Sequence, residues 1–231
     1  MTWTDGRYAP ARRVDAHPGR VGCAITPWAV VVHTTDMPPE TFDALVSSWR
    51  TRPADGACAH FLIGRDETAG VVQFVDIFHN ANHAGGPTHG VFIDAKGTSY
   101  HPNLVAVGIE LHCAGGLHYL GGEWRLLEDG KPSGLPIPDL DVIPDPARPG
   151  RGWHKVTDYQ YAQLEALLHE LEYDGLAPAP LGVVAKSPFE TPPAAALGVG
   201  RICGHWSLDA KSRNDPWTPT MAWLRARTSA R

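Results

Sequence analysis

Trp28-Ala29-Val30-Val31-Val32-His33 is an unbroken apolar run closed by a histidine, and it predicts a strand buried on both faces. A helix follows from Pro38-Pro39-Glu40 to Trp49, because Phe42, Leu45, Val46 and Trp49 recur at offsets of three, four and seven. Arg52-Pro53 ends it, since proline cannot continue the hydrogen-bond ladder. Residues 59–63 and 71–75 flank a polar turn around Asp66 and read as a hairpin. The Gly-, His- and Asn-rich stretch 79–103 reads as a long loop, and 104–112 as the next strand. Residues 114–152, rich in Gly and Pro, are expected to form a long loop. Within it a small hairpin is expected, His118-Tyr119-Leu120 turning at Gly121-Gly122 into Trp124-Arg125-Leu126. Thr157 or Asp158 caps a second helix to about Tyr173, whose Leu164, Leu167, Leu168 and Leu171 make one apolar face. A short strand at 200–204 and a helix at 216–226 complete the chain.

Strands interleaved with helices predict an α/β fold with a central sheet flanked by helices, mixed because a hairpin is present. No internal repeat is found, so a single domain over 28–231 is expected, preceded by an irregular Arg-, Pro- and Gly-rich lead-in at 1–27 and carrying an insertion at about 114–152. With 231 residues, 43% of them hydrophobic, and eight Trp, the chain can fill a core without disulfide staples. Its four cysteines are scattered with no CxxC spacing, which argues against a zinc ribbon and a secreted disulfide framework. A net charge of -5 with no basic run makes nucleic acid an unexpected partner. The N-terminus lacks the charged start and apolar core of a signal peptide, and residues 28–32 are too short to span a bilayer. A cytoplasmic protein without membrane insertion is therefore expected; release to a cell wall would need another route.

Twelve histidines are present, and two stand apart. His33 and His205 each sit at the end of a short apolar strand, where sheet proteins place reactive groups. Two imidazoles and one carboxylate would leave a coordination position for water, the arrangement of a hydrolytic zinc site. Asp215 is the first candidate for that carboxylate, although Asn214-Asp215-Pro216 also reads as a helix start. Asp209, four residues after His205, is the second choice. Cys203, on the same strand face as His205, would serve as a thiolate but reads more readily as a small buried residue. Glu110 interrupts the apolar strand Val107-Gly108-Ile109-Glu110-Leu111, where an acid must face water, a partner or a metal site. Beside a metal it is suited to take a proton from water and return it to a leaving amine. Arg213 is placed to stabilise an oxyanion, with surface arginine as the plain alternative.

Taken together, Val-Val-Val-His33-Thr-Thr, Ala59-His60-Phe61-Leu62-Ile63, Asn82-His83-Ala84-Gly85, Val107-Gly108-Ile109-Glu110-Leu111 and the pair His205 and Asp215, ten residues apart, resemble the zinc-dependent N-acetylmuramoyl-L-alanine amidases of the amidase-2 type. That family includes phage-lysozyme-like endolysins, cytoplasmic anhydro-muropeptide amidases and peptidoglycan recognition proteins. The resemblance runs from about Trp28 to about Trp217. It implies zinc on His33, His205 and Asp215, with Glu110 catalytic, Arg213 facing the oxyanion, and His60 and His83 lining the substrate cleft. The implied reaction is hydrolysis of the amide between the lactyl carbonyl of N-acetylmuramic acid and L-alanine, in peptidoglycan or in muropeptides. Three positions depart from the pattern. Arg213 stands where the family often has Lys, Ala59 replaces a tyrosine found in some phage members, and the usual Pro-Gly between the last His and Asp is absent. Without that tyrosine, Glu110 carries the proton transfer alone. A peptidoglycan-binding module without catalysis, and a zinc amidase acting on a non-wall amide, are the alternatives; competent residues at all three ligand positions favour the enzyme.

Overall fold

Seven strands make the central sheet: β1 (Arg12–Arg13), β2 (Ala29–Thr34), β3 (Phe61–Ile63), β4 (Val71–Gln73), β5 (Ala106–Leu111), β6 (Gly182–Val183) and β7 (Arg201–Gly204). They are seen in a computed structural model that describes residues 3–51, 57–84, 92–94, 96–173, 182–183, 201–204 and 218–229. Their order is β6-β7-β2-β5-β3-β4-β1. Strand β5 runs parallel to both β2 and β3, β7 runs parallel to β2, and the β3–β4 hairpin is antiparallel, so the sheet is mixed. Every residue of β2 and of β5 is buried, as a strand covered on both faces requires.

Alternation along the strands divides the core. Val30, Val32, Phe61, Ile63, Val107, Ile109 and Leu111 point to one face. There they meet Leu164, Leu167, Leu168 and Leu171 of helix α2 (Asp158–Tyr173) and Met221 and Leu224 of α3 (Thr218–Ser229). Each of those leucines is buried, which contributes roughly 1.5–3 kcal/mol per side chain. On the opposite face, Leu62, Val72 and Phe74 pack with Phe42, Leu45, Val46 and Trp49 of α1 (Phe42–Thr51). Helix α2 starts with a reciprocal cap. Gln160 N–H donates to Thr157 Oγ1, and Thr157 N–H donates to Gln160 Oε1, both at 3.1 Å. The Gln160 side-chain amide also reaches the carbonyls of Ile63 and His112, which ties the helix to the ends of β3 and β5.

Three expectations are corrected. The lead-in is not wholly irregular: Arg12–Arg13 pairs with β4 as the edge of the main sheet, and Tyr8 packs edge-on to Phe61. The stretch 79–103 contains short strands, among them His79–Ala81 paired with Val21–Ala24. The insertion is not a loop but a five-stranded antiparallel sheet. Its central hairpin, Gly116–Leu120 with Glu123–Glu128, turns at Gly121 and Gly122, whose φ values of 59° and 92° suit the twist of a two-residue turn. Together these elements form a single α/β domain. Among the described residues no helix is long and apolar enough to cross a membrane.

Candidate active site

Parallel pairing of β2 with β5 sets Glu110 level with His33. Paired strands lie about 4.8 Å apart, and both side chains leave the face opposite the α2 leucines. His33 is 1% exposed and Glu110 9% exposed, so an imidazole and a carboxylate share a largely water-excluded spot near the carboxyl ends of two adjoining parallel strands. Open sheets place ligand sites beyond such ends.

A third side chain joins them from the segment after His79–Ala81. His83 Nδ1 lies 3.1 Å from His33 Nε2, and His83 Nε2 lies 3.3 Å from the Ala106 carbonyl. The rings meet edge to face, with centroids 5.2 Å apart. Gly108 makes room for this: a Cβ there would sit 2.4 Å from His83 Cγ. A glycine inside an apolar strand marks such a close approach, and this signal was present in the sequence. The His33–His83 pairing itself leaves no local pattern in the sequence, because its partners are 50 residues apart.

His60 has a different environment from the cleft-lining one the resemblance implied. Its ring is 0% exposed, Nδ1 accepts from Gly108 N–H at 2.9 Å, and Nε2 lies 2.9 Å from the His79 carbonyl. Burial pulls its pKa down to about 4, against a smaller upward pull from the His79 carbonyl and Asp76. It is a neutral strut between β3 and β5 with both nitrogens engaged. Two further histidines bind the surroundings together. His112 donates from Nε2 to the Pro39 carbonyl and receives Thr35 at Nδ1, clamping the start of α1 to the end of β5. His154 accepts from Ala114 N–H at 3.0 Å; burial, and then Arg65 and His112, push its pKa down to about 3.

His205, Arg213 and Asp215 lie outside the described residues, as does the second-choice ligand Asp209. The described residues alone form no group of three metal-ligating side chains. Of the implied ligands His33 is therefore the one whose surroundings can be tested against zinc. Its Nε2 faces His83 Nδ1, and a buried carboxylate stands level with it on the next strand. An imidazole beside an acid suits zinc, and a ring held through one nitrogen is the usual setting for such a ligand. Among the described residues, His33 with Glu110 beside it fits such a site. Cys203 fits it less well: it is buried among Ala29, Val31 and Phe92, and burial raises its pKa, which keeps it a thiol.

Residues 24–218 match the Amidase_2 family, described as N-acetylmuramoyl-L-alanine amidase. The chain belongs to that family and is an enzyme of that class. No functionally curated protein matches it. Among solved structures, a selenomethionine derivative of AmpD is similar over 99% of this chain and 98% of its own, at 21% identity and a TM-score of 0.55, which supports the fold. The Escherichia coli amidase AmiD, solved with anhydro-N-acetylmuramic acid-L-Ala-D-gamma-Glu-L-Lys, is similar over 87% of this chain and 58% of its own, at 15% identity and a TM-score of 0.47. Citrobacter freundii AmpD in solution is similar over 98% and 97%, at 20% identity and a TM-score of 0.43.

Proposed function

We propose that the protein is a zinc-dependent amidase that hydrolyses the bond between the lactyl carbonyl of N-acetylmuramic acid and L-alanine, in peptidoglycan or muropeptides. The observation that carries this reading is the level pairing of His33 with Glu110 inside an amidase-2 fold. His33, His205 and Asp215 hold the metal. Grouping His205 with His33 is supported by the ladder next to them in sequence: Gly204, the residue before His205, is paired with Val32, the residue before His33. Bound zinc supplies Lewis acidity toward the carbonyl and lowers the pKa of water.

The remaining work falls to the chain's own groups. Glu110, in its nearly dry position, takes the proton of the attacking water and hands it to the departing alanine nitrogen. Arg213 offsets the charge that gathers on the carbonyl oxygen. The apolar walls of β2 and β5 keep bulk water away, which strengthens both effects.

Replacing Glu110 by Ala tests the core of this reading. Release of L-Ala-led peptide from muropeptide and from purified wall is measured beside zinc content. Zinc stays bound and release stops; retained turnover rejects the role of Glu110, and activity that survives chelation rejects the metal. Rates on intact wall and on soluble fragments, measured side by side, assign the physical form of the substrate.

A further inference from the structure

We infer that His83 is a positioning residue that fixes the tautomer of His33, so that His33 Nδ1 presents a lone pair to the metal, and that His83 does not touch substrate. This role presupposes zinc at His33, as proposed above. The direction of the hydrogen bonds follows from the one group in the chain that has no choice. The Ala106 carbonyl only accepts, so His83 Nε2, 3.3 Å away, carries a proton and donates it. In the neutral ring Nδ1 is then an acceptor, and the nitrogen that it faces at 3.1 Å, His33 Nε2, must donate. The proton of His33 is thereby held on Nε2, and Nδ1 is left with its lone pair.

The reverse arrangement puts a proton on His83 Nδ1 and leaves Nε2 and the Ala106 oxygen as two buried acceptors facing each other. Two acceptors facing each other at 3.3 Å repel, and the hydrogen bond between them is lost. The position of His83 is fixed from several sides. Its backbone N–H donates to the Ala81 carbonyl at 3.0 Å, and the next N–H, of Ala84, donates to Asn103 Oδ1 at 2.8 Å. Its ring lies over Gly108 and edge-on to His60, with centroids 5.8 Å apart. At 2% exposure the ring offers no edge to a cleft. A partner of this kind orients a metal-bound histidine and tunes its basicity.

The first test is long-range nitrogen–proton NMR on metal-free wild-type protein labelled in histidine. His83 and His33 should both appear as Nε2–H tautomers; a His33 ring protonated on Nδ1 overturns the assignment whether or not any variant folds. The second test is zinc competition against a chelator. His83→Ala should weaken zinc binding by about 10–100-fold. His83→Asn, whose Oδ1 takes the place of Nδ1 as acceptor, should recover most of that loss. At saturating zinc, KM should be unchanged in both variants. Unaltered zinc affinity in folded His83→Ala, or a rise in KM alone, overturns the positioning role. A wild-type protein that binds no zinc would overturn the metal reading itself, a result distinct from either.

Discussion

All six residues from Ala106 to Leu111 are buried, whereas the outer insertion strand Lys131–Ile137 buries only Ile137 fully. The two regions meet at Cys113-Ala114-Gly115, yet they shield their side chains from water to different degrees. Among the described residues of the central sheet and its flank, buried histidines bond through their rings: His33 with His83, His83 with Ala106, and His60 with Gly108 and His79. The insertion buries Leu117, Trp124, Leu126, Ile137 and Val142 on one side, and at its base His154, but its rim leaves apolar side chains in water: Leu135 and Leu140 are 64% and 72% exposed. The first pattern holds reactive groups to a fixed geometry, because moving any one of them strands a buried donor or acceptor. The second tolerates change.

Substitutions separate the two regions sharply. The largest effect is expected at Glu110→Ala, with a fall in turnover of about 100- to 10,000-fold and a urea midpoint close to wild type. Leu167→Ala, beneath the same strands, should cost about 2–5 kcal/mol in urea unfolding while zinc content is unchanged in the folded fraction. Acid should act through the histidines of both regions. The unfolded imidazoles take up protons near pH 6.5, the folded His60 near 4 and the folded His154 near 3. Stability from these groups is therefore complete above pH 6.5 and is lost as pH falls, through 4 for His60 and through 3 for His154. His60 alone accounts for about 3 kcal/mol, at about 1.4 kcal/mol per pH unit. Unfolding free energies that stay level from pH 7 to pH 4 would reject this.

Smaller effects complete the series. Gly108→Ala drives a methyl into the His83 ring and should cost about 1–3 kcal/mol, with a loss of zinc affinity that an exposed Gly→Ala change would not produce. Leu140→Ser, at the exposed rim of the insertion, should change stability by no more than about 0.5 kcal/mol and leave turnover unaltered. A large loss of activity there would mean that the two regions are more strongly coupled than their burial suggests.

The same division governs what could be read from the sequence. Strand β2, strand β5 and helix α2 are dominated by burial, and burial writes a clear period into the residues, so 28–33, 104–112 and 157–173 were placed within a few positions. In the sequence the insertion reads as a loop because Pro132, Gly134, Pro136 and Pro144 interrupt any alternation. Those prolines lie in the two edge strands of the sheet, Lys131–Ile137 and Val142–Pro144, where a missing N–H costs nothing. Arg12–Arg13 is too short to carry a pattern, and it joins the sheet through backbone pairing with β4. His33 and Glu110 stood out as polar residues in apolar runs. The partners of His83 and His60 did not, since hydrogen bonds between distant segments leave no local period.

The insertion begins and ends at one place. His154 N–H donates to the Gly115 carbonyl at 2.8 Å, Ala114 N–H donates to His154 Nδ1, and Gly116 pairs with Trp153. Its two ends are thus stitched together beside the last residues of β5, and the chain leaves and rejoins the domain through a single doorway. Beyond that doorway the insertion reaches the domain again at the turn before α1, where Leu135 N–H donates to Glu40 Oε1 at 2.9 Å, and its exposed rim is where changes of sequence meet the least packing. Inheritance thereby binds the sheet tightly in one part of the chain and leaves another part freer to diversify.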